Sequence, residues 1–353
     1  GGASSNTLSR SYLHNTGGDA ANFASAFANT VSLSTFSASG TARAITLVAS
    51  DSNTFTGILA QAAAYEAVRF NTGSDDNVVS LSSAIGFVSG SGPLIIDASD
   101  RNSISSSYFQ NLVGYGFGLI GGADNNTVVL STMIGNEAAG FALYAANADS
   151  NTVSQSYIRN TPGKGVQFAG GADYNTIQLS TVVVNNTSYQ ALTANASVGN
   201  RVTSSYIENS LGTALLLTTG ADYNQISQST MVGGSVTGYG LNIVSSDSNV
   251  VTGSLITNPL GDAASLITGS DYNTISLSTM ITAGVNRYGL YLSGSSTNTV
   301  DGSYMRGSSG YGAYLDSSSN YNTISRSSMS ANSGVYALGI VGSSANLITD
   351  SWV

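Results

Sequence analysis

The chain of 353 residues contains no cysteine, one histidine (His14), one lysine (Lys164), one tryptophan (Trp352) and three prolines. The absence of cysteine excludes disulfide staples, thiolate nucleophiles and cysteine zinc sites. A single histidine excludes any centre that needs two. Charge is equally scarce: Asp, Glu, Lys and Arg make up 8% of the residues, about a third of the usual share. The net charge is −9 and the ten basic residues are scattered, so neither nucleic acid nor an anionic membrane is an expected partner. No apolar run is long enough to insert as a membrane helix. What is abundant is glycine, 41 residues, within a chain that is 41% hydrophobic. That is enough apolar material for a core, and too much for a disordered linker.

One short pattern recurs throughout: Asn, a small polar residue, an aliphatic residue, then a run that ends in Ser. Copies include NTVSQSYI from Asn151, NTISLSTM from Asn273 and NTISRSSM from Asn322. The anchors before Asn77 are Asn6, Asn29 and Asn53. From there they continue through Asn77, Asn102, Asn126, Asn151, Asn175, Asn200, Asn224, Asn249, Asn273, Asn298 and Asn322 to Asn346. The spacing is 23 to 25 residues and settles into an alternation of 25 and 24, so the unit is a pair of coils. No composition break interrupts the array, and residues 1–353 are expected to form a single solenoid domain without separate caps.

Two residues after each Asn the side chain is always apolar and mostly β-branched, with polar neighbours on both sides. That alternation is a half-buried strand. A second apolar position follows seven after the Asn, and a third stretch, such as Leu290-Tyr291-Leu292, precedes Gly-rich punctuation. Three short strands in 24 residues describe one coil of a parallel β-solenoid. Ser, Thr, Gly and Asn are poor helix formers, and propeller blades need longer repeats. The fold class is therefore all-β: a parallel β-helix of about 15 coils with three short strands per coil. A tight turn often needs φ > 0, which Asn tolerates, so the Asn column is placed at a turn. Stacked in register, its amides would form a ladder. The Ser five residues after the Asn would form a second one.

With the N-T-[IV]-S motif, the Asn column and the short coil in hand, the chain resembles the right-handed parallel β-helix repeat proteins of the pectate-lyase-like superfamily, over residues 1–353. The resemblance implies the right-handed fold. It leaves function open, because that superfamily holds lyases, glycosidases, phage tailspikes, adhesins and structural modules.

Three sets of residues invite a function. The first is an acidic column two before the Asn: Asp51, Asp75, Asp100, Asp124, Asp149, Asp173, Asp222, Asp247 and Asp271. Each Asp is expected to accept from a backbone N–H two residues on and so to stabilise its turn. The alternative is a metal edge, with calcium between carboxylates of successive coils. The second set is two rows of tyrosines that alternate by coil type. Tyr108, Tyr157, Tyr206 and Tyr304 lie six after the Asn, while Tyr174, Tyr223, Tyr272 and Tyr321 lie just before it. Such rows either stack sugar rings or pack a neighbouring copy. The third is the outward Thr/Ser array one and three after the Asn, whose local pattern looks like that of ice-binding solenoids; Arg201, Gln225 and Asp301 interrupt it.

The regularity of the coils, with no long inserted loop, points away from catalysis. The expectation is a structural extracellular solenoid that is not an enzyme and has no catalytic residues or cofactor. It would be a filament subunit, or the stalk of a cell-surface or adhesin protein. Its partners would be copies of itself, end to end or side by side, or further repeats of the same chain. The alternative is a carbohydrate-binding or carbohydrate-cleaving β-helix. Its site would lie in the least regular stretches, residues 14–28 and 56–70, which hold Glu66 and Arg69.

Overall fold

A computed structural model describes residues 2–332 and 336–353. Among the described residues all regular structure is β-strand, and every strand pair is parallel. The chain divides into two compact units, Gly1–Thr181 and Val182–Val353. In both, each coil contributes three strands, which define faces A, B and C in chain order.

Face A begins one residue after each repeat Asn. In unit 1, Val78-Val79-Ser80 pairs with Ser103-Ile104-Ser105, which pairs with Thr127-Val128-Val129. In unit 2, Gln225-Ile226-Ser227 pairs with Val250-Val251-Thr252 and then with Thr274-Ile275-Ser276. The central residue of each triplet is buried and its neighbours point outward, as the alternation requires. Face B carries the second apolar column. Phe36, Ala60, Ala84, Phe109, Met133 and Ile158 stack in unit 1, and Ile207, Met231, Ile256, Met280, Met305 and Met329 in unit 2; all are 2% exposed or less. The coil that has only Ala60 on face B carries Phe55 and Phe70 on its other faces, with ring centroids 6.5 Å apart, so small and large side chains trade places within one layer. Face C supplies a third inward column, including Leu47, Phe70, Ile96 and Leu119.

The corners are sharper than the sequence suggests. Left-handed φ falls on the residue before the repeat Asn, for example Asp76 (57°), Asn125 (57°) and Tyr174 (56°), and on the residue four after it, for example Leu81 (51°) and Leu130 (52°). The repeat Asn itself is not among the positive-φ residues, which corrects the expectation that it occupies the strained turn position. The coil must bend at both ends of face A, and it does so with whatever residue stands there, leucine included, because neighbouring coils fix the path on either side.

Two strands break the pattern. In unit 2, Thr279–Ser293 and Tyr304–Asp316 run through faces B and C without a corner, and their pairing shifts register between Thr282 and Val285 and again between Val285 and Tyr288.

Candidate functional site

The repeat asparagines form a buried ladder in both units. The Asn102 N–H and Nδ2 both donate to Asn126 Oδ1, at 2.8 and 3.0 Å, and Asn126 N–H donates to Asn151 Oδ1 at 2.8 Å. In unit 2, Asn249 and Asn298 donate in the same way to Asn273 and Asn322. The remaining amide hydrogen serves the preceding corner, as where Asn126 Nδ2 donates to Ser99 O at 3.0 Å. A serine ladder runs beside it: Ser82 N–H donates to Ser107 Oγ, and Ser107 N–H to Ser131 Oγ.

The acidic column is also a ladder. Asp100 N–H donates to Asp75 Oδ1 at 2.8 Å, Asp124 N–H to Asp100 Oδ1 at 2.8 Å, and Asp247 N–H to Asp222 Oδ1 at 2.7 Å. Each carboxylate thus accepts from the next coil rather than from two residues on in its own turn. Stacking at one strand spacing brings that neighbouring N–H into line. In unit 2 the same place is taken by Ser296 and Asn320, each of which accepts from the coil after it. The position therefore asks for an acceptor, not for charge. Among the described residues no group of three or more His, Asp or Glu is placed to hold a metal ion.

The two tyrosine rows stand on different ground. Tyr174, Tyr223, Tyr272 and Tyr321 are corner residues, 61–68% exposed. Tyr157 and Tyr206 are each 38% exposed, while Tyr108 and Tyr304 are half-buried. Tyr108 hydroxyl donates to Gln110 and Tyr206 hydroxyl to Glu208. Members of a row recur every second coil, about 10 Å apart, too far for ring-to-ring contact.

The functional groups that do gather lie on face C of unit 1. Its central outward column reads Thr46, Arg69, Ile95, Gly118, Tyr144 and Gln167 in successive coils. At its start Glu66 is almost fully buried and bound three ways: Arg43 Nε donates to Oε2 at 2.8 Å, and Arg69 Nη1 and Ser91 Oγ each donate to Oε1 at 3.0 Å. Arg69 Nη2 donates to Asp97 Oδ2 at 2.5 Å. Asp19 accepts from the Arg43 N–H at 2.9 Å and from the Thr46 hydroxyl at 2.6 Å. One guanidinium thus grips both Glu66 and Asp97, which keeps the two bound oxygens no more than about 8 Å apart.

Two coils further on, the column holds Gly118, and the Ile95 side chain lies over it. A pocket of about 180 Å³ opens there, lined by Gly90, Ser91, Ile95, Tyr115, Ile120 and Tyr144. Its aromatic wall is braced: Phe141 and Tyr144 stack at 4.6 Å, and Tyr115 meets Phe141 edge-on at 5.0 Å. Lys164 Nζ sits over the Phe141 ring at 4.9 Å. At the rim Glu137 accepts from the Ser89 hydroxyl and the Gly90 N–H. Ser91 joins the two halves, because it binds Glu66 and also lines the pocket.

Burial works to raise the Glu66 pKa. Its own backbone N–H, the Arg43 charge, the Ser91 hydroxyl and the Arg69 charge outweigh that, and the pKa ends below the ordinary value. Glu66 is therefore an ionised acceptor at neutral pH. Burial raises the Tyr115 pKa, helped by Glu137, and lowers that of Lys164. The sequence pointed to Glu66 and Arg69. Asp19 lies within the other irregular stretch, residues 14–28, but the sequence did not point to Arg43, Ser91, Asp97 or the aromatic wall, all of which lie one or more coils away.

The geometry can be set beside known proteins. Residues 214–353 match the family described as right-handed beta helix region, and residues 72–237 match the periplasmic copper-binding protein (NosD) family. Each match covers less than half of the chain, and what is shared is the fold, a right-handed parallel β-helix. No curated protein matches its sequence. Among solved structures, the β-helix is similar to tailspike protein 3 of bacteriophage CBA120, with a TM-score of 0.62 at 10% identity over 98% of this chain and 56% of that one. It is also similar to the catalytic domain of a GH87 α-1,3-glucanase in complex with nigerose (0.53, 15% identity, 87% and 64%). A third likeness is to the A-module of the mannuronan C-5 epimerase AlgE6 from Azotobacter vinelandii (0.50, 10% identity, 96% and 91%). The chain thus spans less than two thirds of the length of the tailspike and glucanase chains. At these identities the likeness is one of fold.

The expectation that the chain is not an enzyme is corrected by these likenesses. It rested on the regularity of the coils, yet an epimerase module and a glucanase catalytic domain are built on the same β-helix. Regular coils without a long inserted loop do not exclude a site. Copper, which the second family's description carries, finds no ligand set among residues 72–237. Residues 72–237 contain no His or Cys, and their two methionines, Met133 and Met231, are fully buried in the core.

Proposed function

We propose that the β-helix acts on a neutral polysaccharide, which it binds along face C of unit 1 and hydrolyses at Asp97. The observation that carries this is the junction at Ser91, where a carboxylate pair held by one guanidinium adjoins an aromatic-walled pocket. Sugar rings offer an apolar face to Tyr115 and Tyr144, and their hydroxyls suit the carboxylates, guanidinium and amide around them. Glu66, ionised and immobilised, stabilises positive charge that develops on a sugar ring. Asp97, with 24% of its side chain exposed, is the carboxylate that reaches substrate: it takes a proton from a water whose oxygen bonds the anomeric carbon as the glycosidic C–O bond breaks, and the leaving oxygen takes up a proton from solvent. The charge balance favours a neutral chain over a polyuronate: Arg43, Arg69 and Lys164 face Asp19, Glu66, Asp97 and Glu137, and the whole molecule carries −9. The similarity to polysaccharide-active enzymes agrees with this reading. The periplasmic description of one matching family fits a periplasmic or extracellular location.

The test is incubation with soluble neutral glucans and with polyuronates, with products read by mass spectrometry. Turnover of a neutral glycan is expected, at least hundredfold slower in Asp97→Asn at an unchanged melting temperature. Turnover confined to polyuronates, no turnover at all, or full activity in Asp97→Asn refutes the proposal.

A further inference from the structure

Unit 2 holds a second concentration of aromatic side chains, where its two long strands replace the usual corner. Tyr288, Tyr291, Tyr311 and Tyr314 gather on the outward side of face C, with Tyr336 at the edge. Tyr288 stacks on Tyr291 at 4.8 Å and 18° and on Tyr314 at 5.1 Å and 23°; Tyr311 lies 5.0 Å from Tyr314 and 6.3 Å from Tyr336. The first four are half-buried and Tyr336 is 70% exposed. The register shifts between Thr282 and Tyr288 are what aim these rings, as bulges next to binding sites commonly do.

We propose that this cluster is a binding platform for a neutral polysaccharide chain, separate from the unit 1 site. Five of five rings are tyrosine rather than phenylalanine, so each apolar face ends in a hydroxyl, as a surface that is both wet and stacking requires. Burial, together with nearby Tyr291 and Asp262, pushes the Tyr288 pKa up to about 12, so its hydroxyl stays a donor. Polar groups frame the rings. Tyr291 hydroxyl donates to Asp316, and Asp262 accepts from the Tyr288 N–H at 2.9 Å. Two polar atoms in register with Tyr291 have no hydrogen-bond partner: Ser265 Oγ, in a residue with no exposed surface, and Asn242 Oδ1. Unpaired buried acceptors and hydroxyls are uncommon in a finished interior, and a water or a ligand hydroxyl completes them. With Asp262 and Asp316 against Arg287, the margin is mildly acidic and disfavours a polyanion.

The test is affinity electrophoresis through gels that contain a soluble neutral glucan, with alginate as the polyanionic control. It is carried out in a Gly118→Ala background so that the unit 1 pocket does not contribute. The parent should be slowed by the glucan and not by alginate. Tyr311→Ala with Tyr314→Ala should abolish the retardation, while the matching Phe pair should keep most of it. Tyr336→Ala, at an exposed position that folding does not depend on, should weaken binding about threefold to tenfold. The proposal is overturned if the parent is not slowed by any neutral glucan, or if folded Ala variants, including Tyr336→Ala, migrate as the parent does. Turnover at Asp97 is measured separately, so either site can fail without the other.

Discussion

Replacing Asn126 by Ala tests the ladder that holds the coils in register. The residue has no exposed surface. Its Oδ1 accepts from both the N–H and the Nδ2 of Asn102, and its Nδ2 donates to Ser99 O. The substitution leaves two donors and one acceptor without partners in a dry interior. Each costs about 1–3 kcal/mol. Partial relaxation and the shared geometry of the two Asn102 donors reduce the sum, so the expected loss is about 3–6 kcal/mol. The control is Asn125→Gly, one residue away, exposed and at φ 57°. Glycine adopts that conformation freely, and the change should stay within about 1 kcal/mol. Urea unfolding followed by far-UV circular dichroism gives both numbers. Solenoid coils contact mainly their neighbours and can unfold in parts, so exchange of the Asn102 amide hydrogen provides a local readout. A loss below about 1 kcal/mol for Asn126→Ala, with the Asn102 amide still protected, refutes the structural role assigned to the column.

Chelators should leave the melting temperature unchanged, because the Asp column already spends its Oδ1 atoms on inter-coil N–H bonds; a drop of several degrees on adding EDTA contradicts that. Glu66 has a folded pKa below its ordinary 4.5, so its contribution is complete above that value and is lost as pH falls through the folded pKa. The stability gap between the parent and Glu66→Gln should be widest at neutral pH and close in acid, and a gap that widens in acid disproves the assignment. Gly118→Ala puts a Cβ 2.5 Å from Ile95 Cδ1, the flexible end of a side chain, which must swing into the pocket. Stability should fall by about 1–3 kcal/mol, with glycan binding to unit 1 lost; unchanged binding by titration calorimetry would clear the pocket of a role.

The fold was legible because three signals repeat at one spacing: the apolar residue after each Asn, the Asn and the Ser. Asparagine is informative there because its side chain both donates and accepts, so identical copies can bind each other in an endless column. The same versatility misled on backbone geometry. Asn also tolerates left-handed φ, and sequence cannot say which property is in use. The strained corners instead carry Asp76, Leu81, Arg101 and Tyr174, residue types with no shared preference, because the stacked neighbours impose the bend.

The site was only half legible, for a countable reason. Thr46, Arg69 and Ile95 are stacked partners, yet they lie 17, 16 and 18 residues after Asn29, Asn53 and Asn77. The turn between faces B and C varies in length, so columns on face C drift against a count that starts from Asn. Tyrosines at fixed offsets were visible in the sequence and proved solitary. Those at drifting offsets, such as Tyr144, Tyr291 and Tyr314, are the ones that cluster.

That drift gives the scaffold a division of labour that an insertion can expose. Faces A and B carry the Asn and Ser ladders, where a shift of one residue turns every apolar side chain outward and breaks each hydrogen bond in the column. The B-to-C turn is tied by a side chain of the next coil only in alternate coils, as where Asn160 Nδ2 donates to Glu137 O and Gly140 O, and it already differs in length from coil to coil. A glycine inserted between Ala64 and Tyr65, both exposed in a turn that no such asparagine ties, should lower the melting temperature by a few degrees at most. The same glycine between Thr152 and Val153 interrupts face A, where Val153 is buried and paired to Val128 and Ile177; it should abolish cooperative melting of unit 1. Equal tolerance of the two insertions would mean that the ladders do not set the register, and face C would lose its claim to be the side on which chemistry can vary without cost to the fold.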